Sequence, residues 1–169
     1  MAEATLAPLP ECARWSLRLP GAVAERLGEL EGWRIALPIN RCSARGNRLC
    51  ARLGPDEWLL CAPSEAASGV ERAVETALAV EHHSLVDVAH RYLAFAVEGA
   101  QAHSLLAAGC PLDLHPSVFA PGSASRTLLG KAEIILWRLT EASSYRLECA
   151  RSYAPYVVEF LREAAREFA

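Results

Sequence analysis

Short runs in which every second residue is apolar recur along this chain, and few architectures accept them. Residues 48–53 place Leu49, Ala51 and Leu53 on one side. Residues 92–97 sort Leu93, Phe95 and Val97 from Tyr92, Ala94 and Ala96. Residues 145–149 direct Tyr145, Leu147 and Cys149 inward and Arg146 and Glu148 outward. A period of two is that of a β-strand with one face on a core. Residues 57–62, 84–88, 125–129 and 132–139 read as further strands, and Gly54-Pro55-Asp56 supplies the turn of a hairpin joining 48–53 to 57–62.

Helical spacing interrupts these runs at three places in the same region. Ser64 is positioned to cap a helix in which Val70, Val74, Ala77 and Leu78 share a face. Residues 100–108 form a short helix burying Leu105 and Leu106, with Gly109 placed for a left-handed end. From Ser152, Tyr153, Tyr156, Val157, Phe160, Leu161, Ala164 and Phe168 make an apolar stripe against Glu159, Arg162, Glu163, Arg166 and Glu167. Pro155 sits in its first turn, where no N–H is needed. Residues 110–122 contain four prolines or glycines and read as a long ordered loop.

The first part is less regular. Residues 15–19 and 33–37 resemble strands, Val23, Leu27 and Leu30 recur at helical spacing, and residues 40–47 read as an exposed polar loop. The order predicts an α+β fold with mixed, largely antiparallel sheets and split βαβ (ferredoxin-like) units. It comprises an irregular αβ segment over 1–47 and an α+β core over 48–169, together one compact domain.

Composition narrows the function. A hydrophobic fraction of 52% in 169 residues supports a core without staples. A net charge of −3, with no basic arm, argues against nucleic acid. No secretory signal is read in residues 1–14 and no run approaches the roughly 20 apolar residues of a membrane span, so the expectation is a cytoplasmic protein off the membrane. Six cysteines, Cys12, Cys42, Cys50, Cys61, Cys110 and Cys149, are scattered without a Cys-x-x-Cys pair. They read as free thiols and not as a metal site.

Groups with chemical capacity are few. Asp87 and His90 are three apart at a strand end, and they share a site only if a turn intervenes; the plainer reading is an Asp that caps a turn. His82 and His83 are adjacent and diverge on a strand. Asp113 and His115 stand two apart in a loop, where loop-ordering hydrogen bonds account for them. Glu133 is the acid of an apolar strand beside Ile134 and Ile135. It is either half-buried with a perturbed carboxyl or, more commonly for such a site, solvent-facing. Phosphate-binding glycine loops and nucleophile elbows are absent from the sequence. The residues by themselves favour a binding or scaffolding role. Tryptophan, tyrosine and arginine suit an interface, with Trp58 and Trp137 better placed in the core.

Three stretches carry a resemblance: GPDEWLLCAP at 54–63, HSLVDVAHRYLAFAVEGAQAHSLLAAGCPLDLHPSVFAPGSASRTLLGKAEIILWR at 83–138, and YRLECARSYAPYVVEFL at 145–161. Together they resemble the gamma subunit family of heterotetrameric sarcosine oxidase, with residues 109–116, 126–138 and 150–156 the most specific. Wider relatives are the aminomethyltransferase T-protein and other proteins of that folate-binding fold. The resemblance implies a complex with alpha, beta and delta subunits. These hold FAD, FMN, NAD and tetrahydrofolate, and oxidise sarcosine to glycine.

Folate-using relatives read Leu-x-x-x-Gly-Gly-x-x-Asp-Asp-Leu where this chain has Gly130, Lys131, Ala132, Glu133, Ile134 and Ile135, and their following asparagine falls near Ala150–Arg151. An isoleucine neither accepts a proton nor orients an amine. The resemblance therefore implies a subunit without catalytic residues, cofactor or metal of its own, supporting assembly of the flavin-bearing subunits. Its interface candidates are Arg91, Asp113, His115, Arg126, Arg138, Arg151 and Tyr153. The alternatives are a stand-alone tetrahydrofolate-binding protein, with Asp87 or Glu133 acting on the folate amine, and a plain α+β interaction module.

Overall fold

The computed structural model describes residues 4–168, with side chains through residue 167. The first three residues of the segment scanned for a signal, and the Phe168 side chain assigned to the final stripe, lie outside the described residues. In chain order the elements begin β1 (Thr5–Pro8), β2 (Cys12–Arg18), α1 (Gly21–Leu27), β3 (Glu29–Leu30), β4 (Trp33–Arg34), β5 (Arg41–Arg45), β6 (Arg48–Arg52), β7 (Glu57–Pro63) and α2 (Val70–Ala77). They continue with β8 (Ser84–Asp87), β9 (Tyr92–Glu98), α3 (Ala102–Ala107), β10 (Ser123–Leu129), β11 (Ala132–Arg138), β12 (Ser144–Ala150) and α4 (Ala154–Ala165). The chain divides into two compact units, one of Glu11–His90 and one of the residues up to Pro10 with those from Arg91 onward. Position 47 is therefore not where the units part; it lies in the turn of the β5–β6 hairpin.

The Glu11–His90 unit orders its strands β5-β6-β7-β2-β8, each antiparallel to its neighbour. β7 and β8 flank β2 and so run parallel to each other, joined by α2. This is the expected split βαβ. Its core gathers Trp15, Leu17, Trp33, Trp58, Leu60, Val74 and Leu78. The Trp15 and Trp33 rings meet edge to face with centroids 5.7 Å apart. Burial leaves no water for the indole N–H groups, so each needs a protein acceptor. Trp33 donates to the Cys61 carbonyl and Trp58 to the Ile35 carbonyl, both at 3.0 Å. These bonds hold residues 33–37 against the sheet. Trp33, Ile35 and Leu37 alternate into the core as expected, although only Trp33 and Arg34 enter a ladder.

Three local expectations are corrected in this unit. Residues 40–47 are not an exposed loop: Arg41–Arg45 pairs with β6, and Cys42 is buried. Arginine at both ends of the strand masks its single buried position. Leu30 does not belong to the first helix, which Gly28 ends at φ 74°, and lies in β3. Ser64 does not cap α2; its hydroxyl donates to the Glu11 carbonyl at 3.4 Å, and the helix starts only after Gly69 turns the chain at φ 81°.

The second unit orders its strands β1-β9-β12-β11-β10, again antiparallel throughout. One face packs Phe95, Val97, Ile134, Leu136, Tyr145 and Leu147 against Leu105 and Leu106 of α3 and Val157 and Leu161 of α4. Gly109 is not left-handed. Its hydrogen faces Phe160 of α4, and a Cβ there would stand 2.5 Å from that ring. The Gly130 N–H donates to the Gly109 carbonyl at 2.9 Å, so this glycine serves close approach and not a turn. The alternation in β12 holds for Tyr145, Leu147 and Cys149, but Glu148 is fully buried, not outward. Its cross-strand neighbours Ile135 and Ala94 are buried as well, so this sheet has no solvent face at its centre. The carboxylate accepts from Arg146 Nε at 2.7 Å, the kind of partner a buried charge requires.

Candidate functional site

The interface candidates separate into three places. Arg91 precedes β9 and Arg151 follows β12, and the pairing of Ala150 with Tyr92 sets them at the same end of the sheet. The Arg91 guanidinium carbon stands 5.5 Å from the Tyr92 ring centroid. Arg151 opens a single 3-10 turn, Arg151–Tyr153, that turns the chain into α4. Tyr153 and Tyr156 are exposed beside it. The backbone N–H of Lys131 donates to the Tyr156 hydroxyl at 3.1 Å, tying the β10–β11 turn to the helix start. Pro155, in the first helical turn, leaves this arrangement undisturbed. Arg91, Lys131, Arg151 and two tyrosines thus crown one end of this unit.

The second place is the loop between α3 and β10. Asp113 accepts from the His115 N–H at 2.9 Å, and His115 Nδ1 contacts the Ser117 hydroxyl at 2.7 Å. These are loop-ordering bonds, as the spacing suggested. Arg138 lies beneath them, buried, and donates through Nη1 to the carbonyls of Pro116 and Phe119 at 3.0 and 2.8 Å. It fixes the loop from inside its own chain and offers no surface. Arg126 forms the third place, on β10. Its Nε is 3.8 Å from the carboxylate of Glu133, and both side chains are solvent-exposed.

The residues that would act on folate fare no better as a reaction centre. Asp87 accepts from the Ala89 N–H at 2.8 Å, the turn cap that its position suggested. The strand does give way to a 3-10 turn over residues 89–91 that contains His90, yet the Asp87 carboxylate serves the backbone. Glu133 is solvent-facing beside Arg126, not half-buried. Ile134 and Ile135 are 1% and 2% exposed, so the positions matched to the relatives' aspartates are apolar and dry. His83 reaches Glu75 at 3.4 Å while His82 is exposed. Among the described residues, no three His, Cys, Asp or Glu side chains gather as a metal ion would need.

Three of the buried thiols are held in the protonated, unreactive form. Burial pushes Cys42 up to about 12, with Arg41 pulling slightly the other way. Burial, reinforced by the Glu148 charge, takes Cys149 to about 11, and burial also raises Cys50. At neutral pH such groups are protonated. Reasoning from sequence missed the buried Glu148–Arg146 pair and the Tyr156 anchor. The signal for the second was present, since a tyrosine one turn into a helix with a Gly-Lys turn upstream suits a hydroxyl-to-backbone bond.

Comparison with known proteins places this geometry. The model of the Sarcosine oxidase, gamma subunit family matches residues 21–167. A sarcosine oxidase subunit gamma of Corynebacterium sp. (strain P-1) is 37% identical over 119 residues, covering 69% of this chain and 56% of the relative. One from Corynebacterium sp. (strain U-96) is 31% identical over 150 residues, covering 89% and 64%. The chain thus spans less than two thirds of the length of these curated relatives.

Among solved structures, a chain of the heterotetrameric sarcosine oxidase of Corynebacterium sp. U-96, in complex with pyrrole 2-carboxylate, superposes with a TM-score of 0.84 at 25% identity, covering 99% of this chain and 87% of that one. The glycine cleavage system aminomethyltransferase T of Bartonella henselae superposes at 0.72 with 16% identity, covering 95% and 45%, which establishes the shared fold. On motif, sequence and fold alike, this chain belongs to the sarcosine oxidase gamma subunit family.

Proposed function

We propose that this chain is the non-catalytic gamma subunit of a heterotetrameric sarcosine oxidase. It supports assembly of alpha, beta and delta subunits that carry FAD, FMN, NAD and tetrahydrofolate and oxidise sarcosine to glycine in the cytoplasm. The observation that carries the reading is the superposition of nearly the whole chain on one chain of such a complex. The residues are consistent with it. The acids considered for folate chemistry cap a turn or face solvent, the buried Cys42 and Cys149 thiols are protonated, and Arg91, Arg151 and Tyr153 are exposed together at one end of the sheet. Arginine and tyrosine concentrate binding energy at protein contacts. The remaining interface candidates divide. Arg126 lies exposed beside Glu133, whereas Asp113, His115 and Arg138 act by shaping the loop that a partner meets.

Co-expression of this chain with the reading frames beside it tests the proposal. Affinity capture is expected to recover larger flavin-containing subunits in fixed stoichiometry, with sarcosine-dependent peroxide formation in the eluate. Recovery of the chain alone overturns it.

A further inference from the structure

One edge of the Glu11–His90 unit carries outward backbone groups with no neighbouring strand among the described residues. β8 ends the strand order, paired with β2 on one side only. The Val88 N–H donates to the Arg14 carbonyl at 2.9 Å, and bonded and non-bonded pairs alternate along an antiparallel ladder. The pairs Ser16–Val86 and Arg18–Ser84 are therefore the bonded ones, and the N–H and C=O groups of Leu85 and Asp87 face away from β2. Edge strands are commonly blunted by shortness, charged side chains, proline or a bulge. β8 is short and ends in Asp87, but Ser84, Leu85 and Val86 carry no charge and no proline, the strand pairs with β2 without a break in register, and Val86 is 51% exposed.

Beside this edge opens a cavity of about 610 Å³ lined by Trp15, Ser68, Gly69, Glu71, Arg72 and Asp87. Asp87 is both the last residue of the edge and a wall of the cavity. Glu71 receives the Trp15 indole N–H at 3.2 Å, which fixes its carboxylate at the cavity wall. Two carboxylates against one guanidinium leave the lining acidic, and side chains of an added strand alternate into such a pocket.

We propose that β8 is the docking edge for an extended segment of a partner subunit, whose backbone bonds to Leu85 and Asp87 while a lysine or arginine side chain enters the Glu71–Asp87 cavity. The inference rests on the gamma-subunit reading and adds to it the element that binds.

Hydrogen exchange on the co-expressed complex, compared with the free chain, tests the backbone half. The Leu85 and Asp87 amides are expected to slow at least tenfold on assembly. The charged half is tested by Glu71→Gln and the edge by Val86→Lys, combined in one variant, both at solvent-accessible positions, with thermal melting as the check on folding. Recovery of partner subunits is expected to drop about tenfold. A complex that forms with both amides still exchanging at their free rates, or that forms undiminished with the double variant, overturns the inference and leaves the gamma-subunit reading standing. Failure of the wild-type chain to form a complex removes that reading, and this inference with it.

Discussion

Arg138 and Arg126 come from the same strand pair and the same family-like stretch, yet their surroundings give them different tasks. Arg138 is 4% exposed and its guanidinium serves two loop carbonyls, so its loss leaves buried acceptors unpaired and a void behind. Arg138→Ala is expected to lower the unfolding free energy by about 3 kcal/mol in urea titration. Arg126→Ala removes a solvent-exposed contact with Glu133 and is expected to change it by less than about 1 kcal/mol, while weakening capture of partner subunits.

The cysteines make a second test at this scale. Five are buried and Cys12 is half-buried. At pH 8 an aromatic disulfide reagent is expected to titrate Cys12 promptly and the others only in denaturant. The folded pKa values of Cys42 and Cys149 lie above the usual 9.0. The stability tied to these protonated thiols is thus fully present below pH 9, and is lost as pH climbs through about 11 and 12. Melting temperatures recorded from pH 8 upward are expected to fall through that window; a flat profile would contradict the burial argument.

At the level of elements, α4 docks on the sheet through two glycines. A Cβ on Gly109 would stand 2.5 Å from the Phe160 ring, and one on Gly130 would stand 2.2 Å from the Tyr156 hydroxyl, at φ 57°. Gly109→Ala must push the helix or the ring away, and overpacking of this kind costs about 1–3 kcal/mol, read as a lower urea midpoint. Most of the elements were legible from sequence because period and turn chemistry are local. The hairpin β6–β7, the strands β9 to β12 and the stripe of α4 all follow from residues within a few positions of one another. The failures share a cause. Ser64 has the chemistry of a cap but is drawn to Glu11, and β5 reads as polar because its partner supplies what its own side chains do not. Both outcomes depend on residues distant in sequence, which no window contains.

For the molecule as a whole, the decisive question is whether the fold shared with aminomethyltransferase keeps its chemistry. Isothermal calorimetry of the isolated chain with tetrahydrofolate is expected to show no binding heat, since Ile134 and Ile135 stand buried and Glu133 faces solvent. A micromolar dissociation constant would reinstate the folate reading. The sequence by itself determined the strand and helix periods, the α+β class and, through its motifs, the family. Tertiary structure alone decided that the chain divides at residues 10/11 and 90/91, that Glu148 is buried beside Arg146, and that the outward groups of β8 stand open. The physical reason is one of range. Side-chain pattern tells a strand which residues share a face, but burial of that face and pairing of that edge are set by segments many tens of residues away.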